Sequence, residues 1–360
     1  MDKNTERMFE MKRKILSYIL LMVMVLTLVG CGAESSNENQ KDNIQGTTNS
    51  ENAGSSSEQV QGSTDAPTTT PEPTEAPVTE VVVGKSITTV EDGCTYYIAE
   101  TDTTLEAGAE IPTPSVGDKY ETPDYKYSYG FERGDKEIIE WNVKVKDKTK
   151  ESYGEILYSI AGNKLTNMCK TFSECTNLLE SPAIPSGVIS LYNTYYKCEK
   201  MTVAPKIPNG VTDLWGTFSN CKSLTEAPEI PNGVTRMNRT FCACKVLTTA
   251  PVIPDSVENM EETFSGCTNL VNAPVIPENV TNMKGTFSDC ISLTTAPVIP
   301  ENVDNMHSTF ADCTGLTGTI EINASPYNYR YCFLHVNFTE QNLTLTGSSE
   351  KLEELMKETQ

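Results

Sequence analysis

The chain repeats itself every 23 residues, and the period runs through seven units without a slip. One column is aromatic: Phe172, Tyr195, Phe218, Phe241, Phe264, Phe287 and Phe310. Three residues later comes a cysteine column, Cys175, Cys198, Cys221, Cys244, Cys267, Cys290 and Cys313, and three residues beyond it Leu178, Met201, Leu224, Leu247, Leu270, Leu293 and Leu316. An isoleucine column (Ile184 to Ile322), a valine column (Val188 to Val303) and a Met/Leu column (Met168 to Met306) complete the unit MxxxFxxCxxLxxxPxIPxxV. Such a unit cannot bury its apolar positions in a single turn of chain, whereas stacked copies form a continuous inner column of like on like. The expectation is a solenoid over residues 162–336.

Inside a unit, Met283, Phe287, Cys290 and Leu293 fall at i, i+4, i+7 and i+10, the spacing of one helical face, so this half predicts a short helix or helical turns. The PxIP half predicts a short extended segment, because proline fixes φ and biases its predecessor away from the helical region. Twelve of the 20 prolines lie in these two columns, so here proline belongs to regular structure. Each one removes a ladder donor, which predicts short, sparsely hydrogen-bonded parallel strands.

Three columns recurring in register, the FxxCxxL core, the IPxxV segment and the Asn-Met pair of Thr281-Asn-Met283-Lys-Gly-Thr-Phe287-Ser-Asp-Cys290, resemble the BspA-like leucine-rich repeat surface proteins of bacteria. The proline ahead of the isoleucine departs from many members, which carry Thr or Val before the IP. The resemblance implies a leucine-rich repeat solenoid exposed at the cell surface, with a binding role that is often adhesion. It names no ligand.

The cysteine column has two readings. Adjacent rungs lie at a spacing compatible with disulfides in an exported protein. Seven is odd, however, and side chains on stacked coils point in parallel, which favours buried thiols. CxC occurs once, at Cys242-Ala-Cys244, with no second pair at zinc spacing, so no metal is expected.

The N-terminal segment reports destination. Lys12-Arg-Lys14 precedes an apolar run from Ile15 to Val29, too short for a comfortable membrane span, and Leu28-Val29-Gly30-Cys31 matches a bacterial lipobox. Residues 1–30 read as a lipoprotein signal peptide and Cys31 as the lipidated residue. An uncleaved anchor is the weaker alternative, and Met11 reads as a better start than Met1. Residues 31–80 are rich in Ser, Asn, Thr and Pro, with almost no aliphatic side chains, and predict a disordered tether. Residues 81–161 alternate apolar and polar, as in Tyr125, Tyr127, Tyr129, Phe131 and Trp141, Val143, Val145, and predict a small β-rich domain or N-terminal cap. The tyrosines read as core, with sugar stacking the weaker alternative. Residues 337–360 predict a C-terminal cap with a short helix from Ser349.

Composition excludes whole classes of function. Forty-nine acidic against 28 basic residues give −21, a charge that repels phosphate backbones, so nucleic acid is not an expected partner. Two histidines, His307 and His335, leave little for acid/base or metal chemistry, and GxSxG, HExxH, P-loop and paired Cys/His patterns are missing. No catalytic residue and no cofactor are expected.

The repeat core is assigned to Phe218, Cys221, Leu224, Phe241, Cys244, Leu247, Phe264, Cys267, Leu270, Phe287, Cys290 and Leu293. The outward positions of the extended half become valine in later units (Val252, Val275, Val298) beside carboxylates (Asp255, Glu278, Glu301), a candidate ligand-contact face. A solvated acidic edge and a calcium ladder are the competing readings of those carboxylates, the latter lacking a turn-glycine motif. The expected protein is lipid-anchored through Cys31 on the extracellular face of the cell membrane and binds an unidentified protein or glycan. The alternative is a structural or self-associating envelope component.

Overall fold

The computed structural model describes residues 82–123, 127–133 and 139–357. The signal and tether readings of residues 1–80, Cys31 included, lie outside the described residues.

Eight strands precede the repeats: β1 (Lys85–Ile87), β2 (Thr95–Ile98), β3 (Thr103–Leu105), β4 (Lys119–Glu121), β5 (Tyr127–Arg133), β6 (Ile139–Val145), β7 (Leu157–Ile160) and β8 (Asn163–Lys164). Five form an antiparallel sheet in the order β3-β2-β4-β5-β6, and β1, β7 and β8 form a second sheet. Period-two alternation puts Tyr127, Tyr129 and Phe131 opposite Val145, Val143 and Trp141, all buried.

Strand β6 is also where the stack of repeats begins. Asn142 pairs parallel with Asn167, and the bridge is handed on through Ser190, Asp213, Arg236, Asn259, Asn282 and Asn305 to Asn328. The Thr171 hydroxyl donates to the Val143 carbonyl at 2.7 Å, and the Phe172 ring meets Tyr127 and Tyr153. At the far end β9 (Gly318–Glu321) pairs parallel with β10 (Leu343–Thr346), followed by α1 (Leu352–Leu355), whose Leu355 is buried. Gly347, at φ 119, lets the chain pass Ile322 so closely that a Cβ would sit 2.3 Å from its carbonyl oxygen. The expected helix from Ser349 starts at Leu352 instead. The Ser349 hydroxyl is engaged one residue early, accepting the Lys351 N–H at 3.1 Å, and no side chain caps the helix.

The short helix expected in each unit does not form. In the coil of Phe264, the N–H groups of Met260, Glu262, Phe264 and Gly266 donate to Asn282, Lys284, Thr286 and Ser288 of the next coil, at 2.7–2.9 Å. The intervening N–H groups of Thr263, Ser265 and Cys267 donate three residues back, to Met260, Glu262 and Phe264. These are overlapping β-turns, and each coil crosses into the left-handed region twice, at φ 52 for Glu262 and 72 for Gly266 in this one. A left-handed residue every fourth position interrupts any right-handed helix, so an i, i+4, i+7 spacing is here produced by turns. The extended half is likewise reduced to single-residue bridges such as Ile299↔Ile322 and Thr249↔Asn272, as missing proline donors dictate.

Left-handed positions carry Lys, Glu, Arg, Ala, Ser and Tyr as well as Gly, Asn and Asp, at a cost of roughly 1–2 kcal/mol for each side chain with a Cβ. Ala243 (φ 58) has no side chain to compensate for it. Ala243→Gly is expected to raise unfolding free energy by about 0.5–1 kcal/mol in chemical denaturation, and Gly266→Ala to lower it by about 1 kcal/mol. A stabilising Gly266→Ala would contradict the turn assignment.

Candidate functional site

Three side-chain ladders make the stack rigid. Rings from Phe172 to Phe333 lie 5.4–5.8 Å apart with interplanar angles of 2–10°, so successive coils are nearly pure translations of one another. The one hydroxyl inside this column, on Tyr195, meets Ser181 at 2.7 Å, where later units carry alanine. Beside the rings runs a buried threonine ladder. Thr240, Thr263 and Thr286 each hydrogen-bond two carbonyls, one in their own coil and one in the preceding coil, at 2.8–2.9 Å.

The cysteine column is the third ladder. Cys175, Cys198, Cys221, Cys244, Cys267, Cys290 and Cys313 carry free, buried thiols, and from Cys198 onward each Sγ–H donates to the carbonyl of the aromatic residue in the preceding coil at 3.0–3.2 Å. Parallel projection thus gives each thiol a backbone acceptor. Burial pushes Cys290 up to about 12 and holds Cys221, Cys244, Cys267 and Cys313 well above the ordinary thiol value, with neighbouring thiols adding to the effect at Cys221, Cys244, Cys267 and Cys313. Thiolate is the reactive form, so this column is chemically inert.

The assigned core residues, from Phe218, Cys221 and Leu224 to Phe287, Cys290 and Leu293, are all buried. The outward positions differ along the stack. Val252 and Val275 are each 86% exposed and Val298 52%, while Ile253, Ile276 and Ile299 between the prolines face inward. Asp255, Glu278 and Glu301 are exposed in the same three coils. The turns carrying Asp255 and Glu278 are held from the next coil, where the Asn279 and Asn302 amides donate to their carbonyls at 2.8 and 2.9 Å. Among the described residues, no cation forms an ion pair with these three carboxylates. No group of three or more His, Cys, Asp or Glu among the described residues is placed to hold a metal ion.

Sequence reasoning missed a second surface cluster. Tyr192 and Trp215, one coil apart, meet edge to face at 4.5 Å, with Lys170 over the tyrosine ring and Arg236 over the indole. Asp213 lies within 4.0 Å of Arg236 and accepts a hydrogen bond from Ser190. All but Lys170, which lies two residues after Met168, occupy the two positions flanking the Met/Leu column, but the members of the column that holds the two rings (Tyr192, Trp215, Asn238, Glu261, Lys284, His307) share no chemistry. Only their 23-residue spacing marked them as neighbours.

Single-residue parallel bridges, turns and an inward aliphatic column, wound into an open stack, define a leucine-rich repeat type of fold. The model of the BspA type Leucine rich repeat region matches in six copies over residues 160–248, 190–317 and 238–354. Together these span 160–354, 195 of 360 residues, and the chain belongs to that family. Among solved structures, a leucine-rich repeat protein of T. pallidum shares 22% identity over 56% of this chain and 85% of its own, with a TM-score of 0.36. A leucine-rich cell surface protein of Faecalibacterium prausnitzii shares 19% over 66% and 77%, at 0.41, and a leucine-rich repeat protein of Bacteroides ovatus 18% over 65% and 80%, at 0.35. No curated protein matches the chain. No helix among the described residues is long and apolar enough to cross a membrane.

Under native alkylation, the thiols from Cys198 to Cys313 in the column are expected to stay unmodified while half-exposed Cys242 labels first, read by peptide mass spectrometry. Stability should also depend on pH through the column. Unfolded thiols ionise near 9.0 and the folded Cys290 near 12, so the unfolded chain sheds protons first. The Cys290 contribution is then complete below pH 9 and lost between about 9 and 12, by up to ~1.4 kcal/mol per pH unit, and the other raised thiols of the column shift stability in the same direction. Urea midpoints that hold steady across that window would contradict the buried-thiol geometry.

Proposed function

We propose that this chain is a lipid-anchored bacterial surface protein that binds a protein or glycan partner through its coils, in an adhesive role. The tether of residues 31–80, ending in lipid on Cys31, carries the stack away from the membrane. Residues 82–161 cap its first coil, whose apolar face is covered by Tyr127 and Tyr153, and residues 337–357 close the other end.

The observation that carries this reading is the stripe of Val252, Val275 and Val298, exposed in three successive coils and edged by unpaired carboxylates. Aliphatic side chains left in water on a rigid scaffold have a free energy to gain from a partner, roughly 1.5 kcal/mol or more for each valine fully covered. A scaffold of near-identical coils also needs little reorganisation to bind, which lowers the entropic cost of association.

The test is binding of the full chain to arrayed host matrix proteins, mucins and cell-wall glycans. V252S/V275S/V298S is expected to weaken the captured interaction by tenfold or more with an unchanged thermal melt. Loss on Trp215→Ala with wild-type binding by the valine variant would move the contact to the aromatic cluster. For the anchor, Cys31→Ser is expected to abolish incorporation of labelled palmitate and release the chain from the membrane fraction.

A further inference from the structure

The valine face has a repeat distance, a width and a charge, and together they point to one kind of occupant. Ring centroids step 5.7 Å from Phe241 to Phe264 and 5.8 Å from Phe264 to Phe287, and coils that are nearly pure translations carry the same step, about 11.5 Å over two coils, to the valines. An α-helix laid along the same axis presents like side chains at i, i+4 and i+7 or i+8, which are about 10.5–12 Å apart end to end at 1.5 Å per residue. An extended strand presents every second residue, and two such steps cover roughly 13 Å. Polyproline II steps by about 9 Å per turn. Of the three, the helix matches the coil step best.

Width agrees with length. The carboxylate column runs three residues along the chain from the valine column in each coil, as in Val252 to Asp255, at most about 10 Å of extended backbone. That ceiling lies within the roughly 10–12 Å diameter of a helix with its side chains, so long flanking side chains reach from one column to the other. A helix seated on the valines therefore holds its flank over Asp255, Glu278 and Glu301.

Charge selects the flank. Residues 162–245 carry nine Lys/Arg and six Asp/Glu, whereas residues 246–336 carry two and ten. The negative field is thus concentrated on the half of the stack that bears the valines, and the three carboxylates have no cation of their own among the described residues.

We propose that the Val252–Val275–Val298 face docks a cationic amphipathic α-helix of a partner protein, its apolar stripe on the valines and its Lys/Arg flank on Asp255, Glu278 and Glu301. This inference rests on the reading of that face as the contact surface and names the partner's chemistry.

The probe is a fluorescent 15-residue helix-forming peptide with Leu at i, i+4, i+7 and i+11 and Lys on the flanks, compared with a scrambled peptide of identical composition. Binding to the full chain is read by anisotropy at 0.15 M salt. The amphipathic peptide is expected to bind at least tenfold tighter than the scrambled one and to gain helical circular dichroism on binding. V252S/V275S/V298S should erase that preference. D255N/E278Q/E301Q should weaken both peptides at least fivefold and flatten the salt dependence, whereas D289N/D312N, on left-handed turn positions that accept Asn, should leave the preference intact.

Equal binding of the two peptides, or a preference that survives the valine substitutions, overturns the proposal. If the valine variant loses a partner captured on the arrays while the wild-type chain shows no helical preference, the face is the contact surface and the helix is not its occupant. Mutual competition by unlabelled chain, with a change of sedimentation coefficient, would assign the face to a second copy and likewise overturn it.

Discussion

Everything in this structure depends on a backbone that cannot satisfy itself within one coil. Alternate N–H groups of each turn segment donate to the next coil, and two left-handed residues per coil aim them there. A single unit would leave these donors to water and its apolar columns exposed, so neither hydrogen bonding nor burial favours it alone. The stack is thus cooperative, and it needs a terminus at each end that accepts or supplies the same bonds. Strand β6 does so at the start through Asn142, and β9 and β10 continue the pairing at the finish.

The side-chain ladders are consequences of that translation. Because coils superpose with almost no rotation, any residue type repeated at 23 meets its own copy about 5.6 Å away. Aromatic rings tolerate this as offset stacks, threonine hydroxyls find the carbonyl of the coil before, and thiols do the same. Charge at a buried column would meet like charge on both sides. Ion pairs between coils, Lys222 with Glu199 and Lys284 with Glu261 among them, sit at exposed or half-buried positions where opposite charges follow one another.

On the outside the same translation multiplies whatever a column carries. Three valines in register become a stripe, three carboxylates an edge, and one Tyr–Trp step a cluster held between Lys170 and Arg236. The chemistry these columns present to solvent therefore comes as stripes along the stack.

The repeat, its inward columns and its outward valines and carboxylates were legible from spacing alone, because a 23-residue period with invariant apolar positions admits little besides stacking. The conformation of each coil was not legible. Met283, Phe287, Cys290 and Leu293 have helical spacing, yet the segment is a run of turns, since the partner for each alternate N–H lies 22 residues ahead in another coil. The threonine ladder passed unnoticed, because a threonine gains its meaning only when a neighbouring carbonyl is brought to 2.8 Å. Tyr192 and Trp215 shared a column but no consensus. What the sequence by itself determined is which side chains face in and at what interval. The tertiary structure alone decided how the backbone turns and which surface groups meet, because both are set by bonds between coils.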